Sequence, residues 1–369
     1  MKNKKIRYAV VGLGNIAQVA VLPAFKNASE NSELVALVSS DDEKLKTLGR
    51  KYKVKNLFNY RDYDKLLSSG MIDAVYIATP NVNHRAFAEE AAQHGIHVLV
   101  EKPMALNAQD CMSMLRSARN NDIKMMVAYR LHFDPANLEA VEIAKSGKLG
   151  DLRIFNSTFT YQVTDPNNIR LKYEMGGGPI FDIGTYCINA ARYLFQDEPV
   201  EVSATLLSNP KDTRFTEVEE MAAVTLRFKG ARLANFVVSF GAEASAMYTL
   251  IGSEGCLTLE GAYEYADDMT LTTSINEKEK VKKFKKHDQF APELEYFSNC
   301  ILKNQEPEPS AIEGLYDLRI IDAIFESART KRSVKLEYAS KARRPTAKQM
   351  IRKPGHAKPE TIHAPPAHE

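Results

Sequence analysis

The chain has few cysteines, no long apolar run and almost no net charge. Its 369 residues include four cysteines, at positions 111, 187, 256 and 300, which lie far apart and form no CxxC pair. This usage indicates reduced thiols of an intracellular protein and argues against a disulfide framework or a cysteine zinc site, so no metal site is predicted. No stretch approaches the roughly 18 apolar residues of a membrane span, and we expect a cytoplasmic protein.

The net charge of +2 conceals a basic C-terminal tail. Residues 341–369 hold seven lysines and arginines against two glutamates, which leaves a net charge of −3 on the rest of the chain. That body gives no electrostatic reason to bind nucleic acid. The tail is rich in proline and lacks apolar periodicity, so residues 339–369 are expected to be disordered. Contact with an anionic surface, or metal capture by its histidines, is the alternative.

Short apolar runs alternate with helix-length segments in the first third of the chain, which predicts parallel βαβ units. The runs are 6–11, 34–38, 74–78, 98–100 and 125–128. The intervening stretches contain many residues that favour helix. We therefore expect residues 1–128 to form a Rossmann-type α/β domain with a doubly wound parallel sheet.

From about residue 149 the pattern changes to alternating runs that are separated by short turns. The runs are 152–163, 200–207, 222–228, 233–240, 248–251, 257–259 and 269–275, and helical stretches follow at 291–303 and 311–330. This order predicts a mostly antiparallel open sheet with one face on a core and the other free to meet a partner. We expect residues 129–338 to form this second, α+β domain.

A glycine-rich turn follows the first strand. Its GxGxxA pattern begins with Gly12, Gly14, Asn15 and Ile16 and ends at Ala17. The first glycine permits a tight turn, the second lets backbone approach a pyrophosphate, and the small Ala17 allows the helix to pack on its strand. Because the turn lies between a strand and a helix, it predicts a dinucleotide site.

The end of the second strand bears on the choice of cofactor. Ser39 stands where an acid would bind the ribose 2′-hydroxyl of NAD, and Lys44 follows in the next helix. Serine could accommodate a 2′-phosphate and the lysine could pair with it, which favours NADP. NAD stays possible, since Asp41 could still reach the ribose and Lys44 could be a solvated helix charge.

Polar side chains follow the later strands of the first domain as well. Ligands of open α/β sheets bind at the carboxyl ends of the strands, so these groups are expected to share a site. They are Thr79, Pro80, Asn81 and His84 after the run 74–78, Glu101 and Lys102 after 98–100, and Arg130 and His132 after 125–128.

The segment 176–189 places three glycines and a proline before a predicted helix. Pro179 suits the first helical position, and Asp182 and Tyr186 are four residues apart, on one helix face. Both side chains could therefore point at one small molecule. The alternative is a glycine-rich loop before an ordinary core helix.

These motifs together resemble the Gfo/Idh/MocA oxidoreductases over nearly the whole chain up to about residue 338. The resemblance rests on GxGxxA, Thr-Pro-Asn-x-x-His at 79–84, Glu-Lys-Pro at 101–103 and Gly-Gly-Gly-x-x-x-Asp-x-Gly-x-Tyr at 176–186. It is closest to the glucose–fructose oxidoreductase branch, through Tyr-Arg-Leu-His-Phe-Asp-Pro at 129–135 and Asp-Gln-Phe at 288–290.

The resemblance implies that Lys102 and Tyr186 are catalytic, with Asp182 beside them on the substrate. It also assigns Pro80, Asn81, His84, Glu101 and Arg130 to the neighbourhood of the cofactor. Family members that use inositol carry histidine where this chain has tyrosine, which places the chain with the sugar-oxidising members. Tyr161 and His132 are further substrate candidates, although both could equally be structural.

The implied reaction is hydride transfer between a sugar, most simply C1 of an aldose, and NADP. Free tyrosine has a pKa near 10, so the cation of Lys102 would have to stabilise the phenolate of Tyr186, while Asp182 orients a hydroxyl. In the alternative, Lys102 contacts a phosphate and Tyr186 is a core residue.

Other activities fit the same resemblance. They are ketosugar or anhydrosugar reduction, dihydrodiol oxidation, glycoside cleavage and redox sensing without turnover; the intact set of catalytic residues argues against a pure sensor. The best-known glucose–fructose enzymes clasp NADP with a long N-terminal arm, whereas here the first strand begins at once. We therefore expect exchangeable NADP, and a homo-oligomer that pairs through the second-domain sheet.

Overall fold

The computed structural model describes residues 4–337 and 344–364 and divides them into two compact units. Unit 1 contains residues 4–130, 287–315 and 352–364, and unit 2 contains 131–286, 316–337 and 344–351. In the residues described, no helix is both long and apolar enough to cross a membrane. The domain bounds expected from the sequence, 1–128 and 129–338, stay predictions.

The secondary structure follows the alternation expected from the sequence. The strands are β1 Ile6–Val11, β2 Ser32–Val38, β3 Asn56–Phe58, β4 Ala74–Ile77, β5 His97–Val100, β6 Met125–Val127, β7 Leu152–Thr160, β8 Pro199–Leu207, β9 Met221–Phe228, β10 Arg232–Ser239, β11 Ser245–Gly252, β12 Gly255–Glu260, β13 Met269–Ile275, β14 Lys278–Phe284 and β15 Val334–Lys335. The α-helices are α1 Leu22–Asn27, α2 Asp42–Tyr52, α3 Tyr63–Leu67, α4 His84–Gln93, α5 Ala108–Asn120, α6 Pro135–Lys145, α7 Thr185–Phe195, α8 Phe290–Leu302 and α9 Ala311–Thr330.

Unit 1 is built on a parallel sheet with the strand order β3-β2-β1-β4-β5-β6. The strand order reverses between β1 and β4, and in such sheets the crevice at that point binds ligands. Because helices cover both faces, β4 and β6 are buried along their whole length. The predicted Rossmann-type fold is confirmed.

Helix α8 belongs to unit 1, whereas the sequence suggested that it closes the second domain. Asp288 begins it by accepting hydrogen bonds from the backbone N–H groups of Phe290 and Ala291, each at 2.9 Å. Farther along, the Ser298 hydroxyl lies 2.8 Å from the hydroxyl of Tyr8 in β1. Sequence order cannot reveal this return of the chain, since a helix joins whichever sheet its apolar face fits.

Unit 2 is built on a nine-stranded sheet in the order β14-β13-β12-β11-β7-β10-β9-β8-β15. Its neighbours pair antiparallel except β7 and β10, which are parallel. Burial alternates along β9, as expected for a sheet with a single buried face. The predicted mostly antiparallel sheet is confirmed, and β14 is an additional strand.

A buried network of charges and amides lies in unit 2. Arg192, which is fully buried, donates to Asp317 at 2.5 Å and to both carboxylate oxygens of Glu198 at 2.7 and 2.9 Å. Asn189 donates to the other oxygen of Asp317 at 3.2 Å. Burial by itself would raise the pKa of Glu198, but the charges and hydrogen bonds of Arg192 and Arg344 outweigh it and hold that pKa below its usual value.

The C-terminal segment differs from the disordered tail expected from composition. Over 344–364 the chain makes defined contacts: Arg344 donates to Glu198, and the backbone N–H of Ala347 donates to Glu142 at 3.3 Å. The segment lacks apolar periodicity because it docks through single charged and backbone groups instead of a helical or strand face. Residues 338–343 and 365–369 lie outside the described part, so the prediction stays untested there.

We predict that Arg192→Met destabilises the protein by about 3–5 kcal/mol, because it removes the buried guanidinium that pairs with Asp317 and leaves Glu198 with Arg344 as its counter-charge. Denaturant unfolding monitored by circular dichroism measures this change. Arg227→Met is the matched control, since Arg227 is half exposed in its ion pair with Glu201 and its loss should leave the free energy of unfolding nearly unchanged. Equal effects of the two substitutions would contradict the assignment.

Candidate active site

The turn after β1 can be formed only by glycine at its first position. Gly12 has φ +93°, and a Cβ there would lie 2.6 Å from the carbonyl oxygen of Ala78. At Gly14 a Cβ would meet no atom within 4 Å, so open space lies before the turn. The hydroxyl oxygen of Thr79 nearby is buried and has no hydrogen-bond partner among the described residues. Open space beside Gly14 and the unpartnered hydroxyl of Thr79 fit the pyrophosphate of a dinucleotide.

The residues after β2 are engaged with one another. The hydroxyl oxygen of buried Ser39 accepts a hydrogen bond from the Asp41 N–H at 3.1 Å. The Asp41 carboxylate in turn caps α2 by accepting from the N–H groups of Glu43 and Lys44. The Lys44 hydrogen bond and, next, a hydrogen bond from His363 lower the pKa of Asp41. Asp41, the acid that could have bound a ribose hydroxyl, is thus held as the cap of α2 and as the partner of His363.

His84 lies between the loops that follow β4 and β5. It is fully buried, with Nδ1 2.9 Å from the Pro103 carbonyl oxygen and Nε2 3.0 Å from that of Thr79. Burial lowers its pKa to about 4, so the ring is neutral and donates to one of these carbonyls. His84 therefore acts as a brace for the segment with Lys102. Of the other residues assigned to this loop, Pro80 and Asn81 begin a short 3-10 turn that leads into α4.

Two buried carboxyl groups lie in unit 1 near the end of β5. Glu101 accepts a hydrogen bond from the Tyr76 hydroxyl at 2.8 Å. Burial raises its pKa, while the charge of Lys102 opposes that rise. Glu293 on α8 is fully buried, and neither of its carboxyl oxygens has a hydrogen-bond partner among the described residues. Its pKa is raised well above the usual value by burial and then by Glu101.

Arg130 lies beside this carboxyl pair. It is buried and donates a hydrogen bond to the side-chain oxygen of Gln289. Its charge lowers the pKa of both Glu101 and Glu293, although burial prevails at each. Glu293 was not among the sequence candidates; the signal was an acid directly after the apolar residues that begin α8.

In unit 2 the glycine-rich segment closes tightly before helix α7. A Cβ on Gly177 would lie 2.4 Å from the Arg170 carbonyl oxygen, and Gly178 has φ +105°. A π-helical turn, Ile180–Gly184, then leads into α7, and the N–H of Ile180 donates to Glu219 at 3.3 Å. Burial raises the pKa of Glu219 to about 7. Wide π-helical turns within helices frequently mark functional positions.

Asp182 lies in this turn and forms an ion pair. Its Oδ2 atom accepts from the Arg170 Nε and from the Tyr161 hydroxyl, each at 2.7 Å. Burial, and next the charge of Asp182, raise the pKa of Tyr161 well above its usual value. Tyr161 thus contacts Asp182 directly, and Arg170 is a site residue that the sequence analysis missed because its loop carries no motif.

The ring of Tyr186 is half-buried and packed among aromatic side chains. Its centroid lies 5.7 Å from that of Phe159, edge to face, and 6.0 Å from that of Tyr263. Phe159 and Tyr263 stack on each other at 5.1 Å. Such packing fixes the direction of the phenol.

His132 is a core residue, which corrects its assignment to the substrate pocket. It is 1% exposed, its Nε2 lies 2.6 Å from the Asn189 side-chain oxygen, and its ring packs edge-on against Tyr193. Its neighbours Asn189 and Asp317 belong to the charge network of unit 2. A side chain so enclosed is unavailable to a sugar.

Two family models match the chain. Residues 6–129 match the oxidoreductase family with an NAD-binding Rossmann fold, and residues 137–258 match the GFO/IDH/MocA C-terminal domain. The chain belongs to the Gfo/Idh/MocA oxidoreductase family. This membership confirms both the resemblance and the predicted class, a nicotinamide-dependent oxidoreductase.

Similar proteins include two D-xylose dehydrogenases and one solved structure. D-xylose 1-dehydrogenase (NADP+) of Haloarcula marismortui is 31% identical over 339 residues, 90% of this chain and 93% of the relative. D-xylose 1-dehydrogenase (NADP+) 2 of Haloferax volcanii is 28% identical over 89% of this chain and 99% of the relative. The crystal structure of aldose-aldose oxidoreductase from Caulobacter crescentus, complexed with glycerol, superimposes with a TM-score of 0.86 and 35% identity, covering 90% and 100% of the two chains.

The two glycines of the first turn provide a matched pair of variants. We predict that Gly12→Ala weakens dinucleotide binding and lowers the free energy of unfolding by about 2 kcal/mol or more, because the methyl group meets the Ala78 carbonyl at a positive φ. Gly14→Ala should keep wild-type stability yet weaken binding, since its methyl group would occupy the open space. Calorimetric binding and thermal unfolding separate the two effects. Wild-type binding by both variants would show that this turn is not the dinucleotide site.

Proposed function

We propose that this protein is an NADP-dependent sugar dehydrogenase that transfers hydride between C1 of an aldose and the nicotinamide. The observation that carries the proposal lies in unit 2. There the carboxylate of Asp182 is held by Arg170 and Tyr161, and the half-buried phenol of Tyr186 follows four residues later. The relatives named for D-xylose and aldose oxidation support the substrate class.

The cofactor would be held by residues at the sheet edge of unit 1. Gly12, Gly14, Asn15 and Ile16 would hold the pyrophosphate at the start of the first helix. The groups nearest the nicotinamide would come from Thr79, Pro80, Asn81, Glu101, Lys102 and Arg130, with His84 bracing their loops. Ser39 and Lys44 would receive the 2′-phosphate, and NAD is the alternative cofactor. When bound, the nicotinamide supplies the hydride acceptor.

Tyr186 would accept the proton of the sugar hydroxyl as hydride departs, and would return it in the reverse direction. The positive charge of Lys102 would stabilise the phenolate that this role requires. Asp182 would accept a hydrogen bond from a second sugar hydroxyl, with its carboxylate fixed by Arg170 and Tyr161. Fixed donors and acceptors of this kind lower the cost of reorganisation during the reaction.

Tyr186→Phe tests the proton-transfer role directly. With NADP+ and a panel of aldoses and polyols, followed through the absorbance of the reduced nicotinamide, we expect kcat to fall by about 10²- to 10⁴-fold while NADP+ binding is retained. Tyr173→Phe is the control, because Tyr173 is 74% exposed and should keep wild-type rates.

Lys102→Met, measured in the same assay, distinguishes the two roles considered for this lysine, which are stabilisation of the phenolate and contact with a cofactor phosphate. Loss of kcat with the pH–rate profile displaced to higher pH supports phenolate stabilisation. A raised KM for NADP+ with unchanged kcat supports a phosphate contact instead. Absence of turnover with every sugar, despite NADP+ binding by wild type, would favour a sensor over a dehydrogenase.

We further propose that copies of the chain pair through the outer face of the unit 2 sheet. Three exposed apolar side chains lie there on adjacent strands, Ile154 on β7 and Leu233 and Val237 on β10. Asn235 donates to Asn156 between them at 3.3 Å, so the face combines apolar residues with a polar ladder. A regular, partly apolar sheet face of this kind suits a self-complementary interface.

Val237→Lys is expected to reduce the molecular mass in light scattering coupled to size exclusion to that of the monomer. Met112→Lys, at a similarly exposed apolar site on α5, is the control and should leave the mass of the assembly unchanged. A wild-type protein that is already monomeric would contradict the proposed pairing.

A further inference from the structure

The segment from Arg352 to Ala364 is docked on unit 1. The Lys353 ammonium pairs with Glu295 at 2.6 Å, and the Lys353 carbonyl accepts from the N–H of Asp288 at 3.2 Å. The Pro354 carbonyl accepts from the Asn27 side chain at 3.0 Å. The start of this segment is therefore fixed beside α8 and the end of α1.

The end of the segment is fixed to the glycine-rich turn. The Gln18 side chain, which is 1% exposed, accepts from the N–H of Ile362 at 2.8 Å and donates to its carbonyl at 2.9 Å. The same amide donates to the Leu13 carbonyl at 2.9 Å, and Asn15 donates to the Ala364 carbonyl at 2.9 Å. These contacts hold both neighbours of His363 against the turn that fits the pyrophosphate.

His363 between them reaches the end of β2. Its Nδ1 lies 2.8 Å from a carboxylate oxygen of Asp41 and its Nε2 3.5 Å from one of Glu43. Its backbone has a positive φ of 46°, which non-glycine residues rarely adopt, so the contacts on both sides impose its direction. Asp41 lies two residues beyond Ser39, which stands at the position where the ribose of a dinucleotide is read, and its carboxylate could still reach that ribose.

The charges around His363 bear on whether a 2′-phosphate or a ribose hydroxyl is favoured at this place. Asp41 at the start of α2 and Glu43 in its first turn are two acids at a place that an NADP 2′-phosphate would have to approach, and Lys44 is a cation of the same turn whose charge acts on His363. Unopposed, Asp41 would repel a phosphate and favour a ribose hydroxyl. The hydrogen bond and charge of Asp41, and next the charge of Glu43, raise the pKa of His363, while Lys44 opposes that rise.

We propose that Arg352–Ala364 forms a wall at the ribose end of the dinucleotide site, and that His363, by neutralising Asp41, makes the site selective for NADP over NAD. The inference rests on the proposed use of NADP and adds a specificity-determining residue from the C-terminal segment. His363 acts here through Asp41, so its effect should depend on that carboxylate.

The test is the affinity of the full-length protein for NADP+ and NAD+, measured by isothermal titration calorimetry. His363→Ala should weaken NADP+ binding about tenfold, as expected for one lost charge-assisted contact, while NAD+ binding stays the same or tightens. His356→Ala is the matched control, since His356 lies in the same segment and its Nδ1 contacts the carbonyl oxygen of the adjacent Ala357, at 3.2 Å, instead of Asp41. It should bind as wild type does.

A second background isolates the role of Asp41. Asn can cap α2 as Asp41 does but carries no charge, so in Asp41→Asn the further change His363→Ala should no longer weaken NADP+ binding. The wild-type preference for NADP+ should also decline as the pH rises through the raised pKa of His363 and the ring loses its proton, with a smaller decline in His363→Ala.

Three results would overturn the inference. They are an unchanged NADP+/NAD+ ratio in His363→Ala, tighter NADP+ binding in that variant, and an equal loss in the Asp41→Asn background. The second of these would mean that the segment competes with the cofactor. If wild type binds NAD+ but not NADP+, the proposed cofactor fails together with this inference; if wild type prefers NADP+ and only the His363 variants disagree, the proposed function stands.

Discussion

The contact between the backbone at Gly12 and the Ala78 carbonyl is the constraint on which the nucleotide-binding unit depends. A Cβ at this position would lie 2.6 Å from that oxygen, so only glycine can occupy the turn that follows β1 beside β4. The same turn sets the positions of Leu13, Asn15 and Gln18, which hold the C-terminal segment. One local steric condition thus determines both the open space for a dinucleotide and the docking of a segment far away in sequence.

Charges in both units are arranged by pairing and burial. In unit 1 the buried carboxyl of Glu101 lies next to Lys102 in sequence, and the unpartnered Glu293 favours the neutral form. In unit 2, Asp182 is held by Arg170 while the ring of Tyr186 is held by aromatic contacts. Groups that are fixed before a substrate arrives stabilise developing charge at lower cost than groups that must reorient. This preorganisation supports the proposed hydride transfer.

The sequence predicted those features that local chemistry determines. Glycine spacing, apolar runs and polar residues at strand ends were sufficient for both sheets and for most of the candidate residues. Strand β14 was missed because its sequence, Lys-Glu-Lys-Val-Lys-Lys-Phe, has a largely exposed, charged face and little apolar alternation. Arg170 was missed because its loop carries no motif, and Glu293 because its burial beside Glu101 depends on the packing of α8 in unit 1. The C-terminal segment was misjudged because its contacts are made by isolated groups, and composition records only their polarity.

The central claim is hydride transfer from C1 of an aldose, and isotope transfer tests it most directly. D-xylose or D-glucose carrying deuterium at C1 would be incubated with NADP+ and the protein, and the reduced cofactor analysed by mass spectrometry and NMR. The account predicts one deuterium per reduced nicotinamide, located at C4, and none from sugar labelled at another carbon. Reduced cofactor without label from C1, or with label from a different carbon, would contradict it.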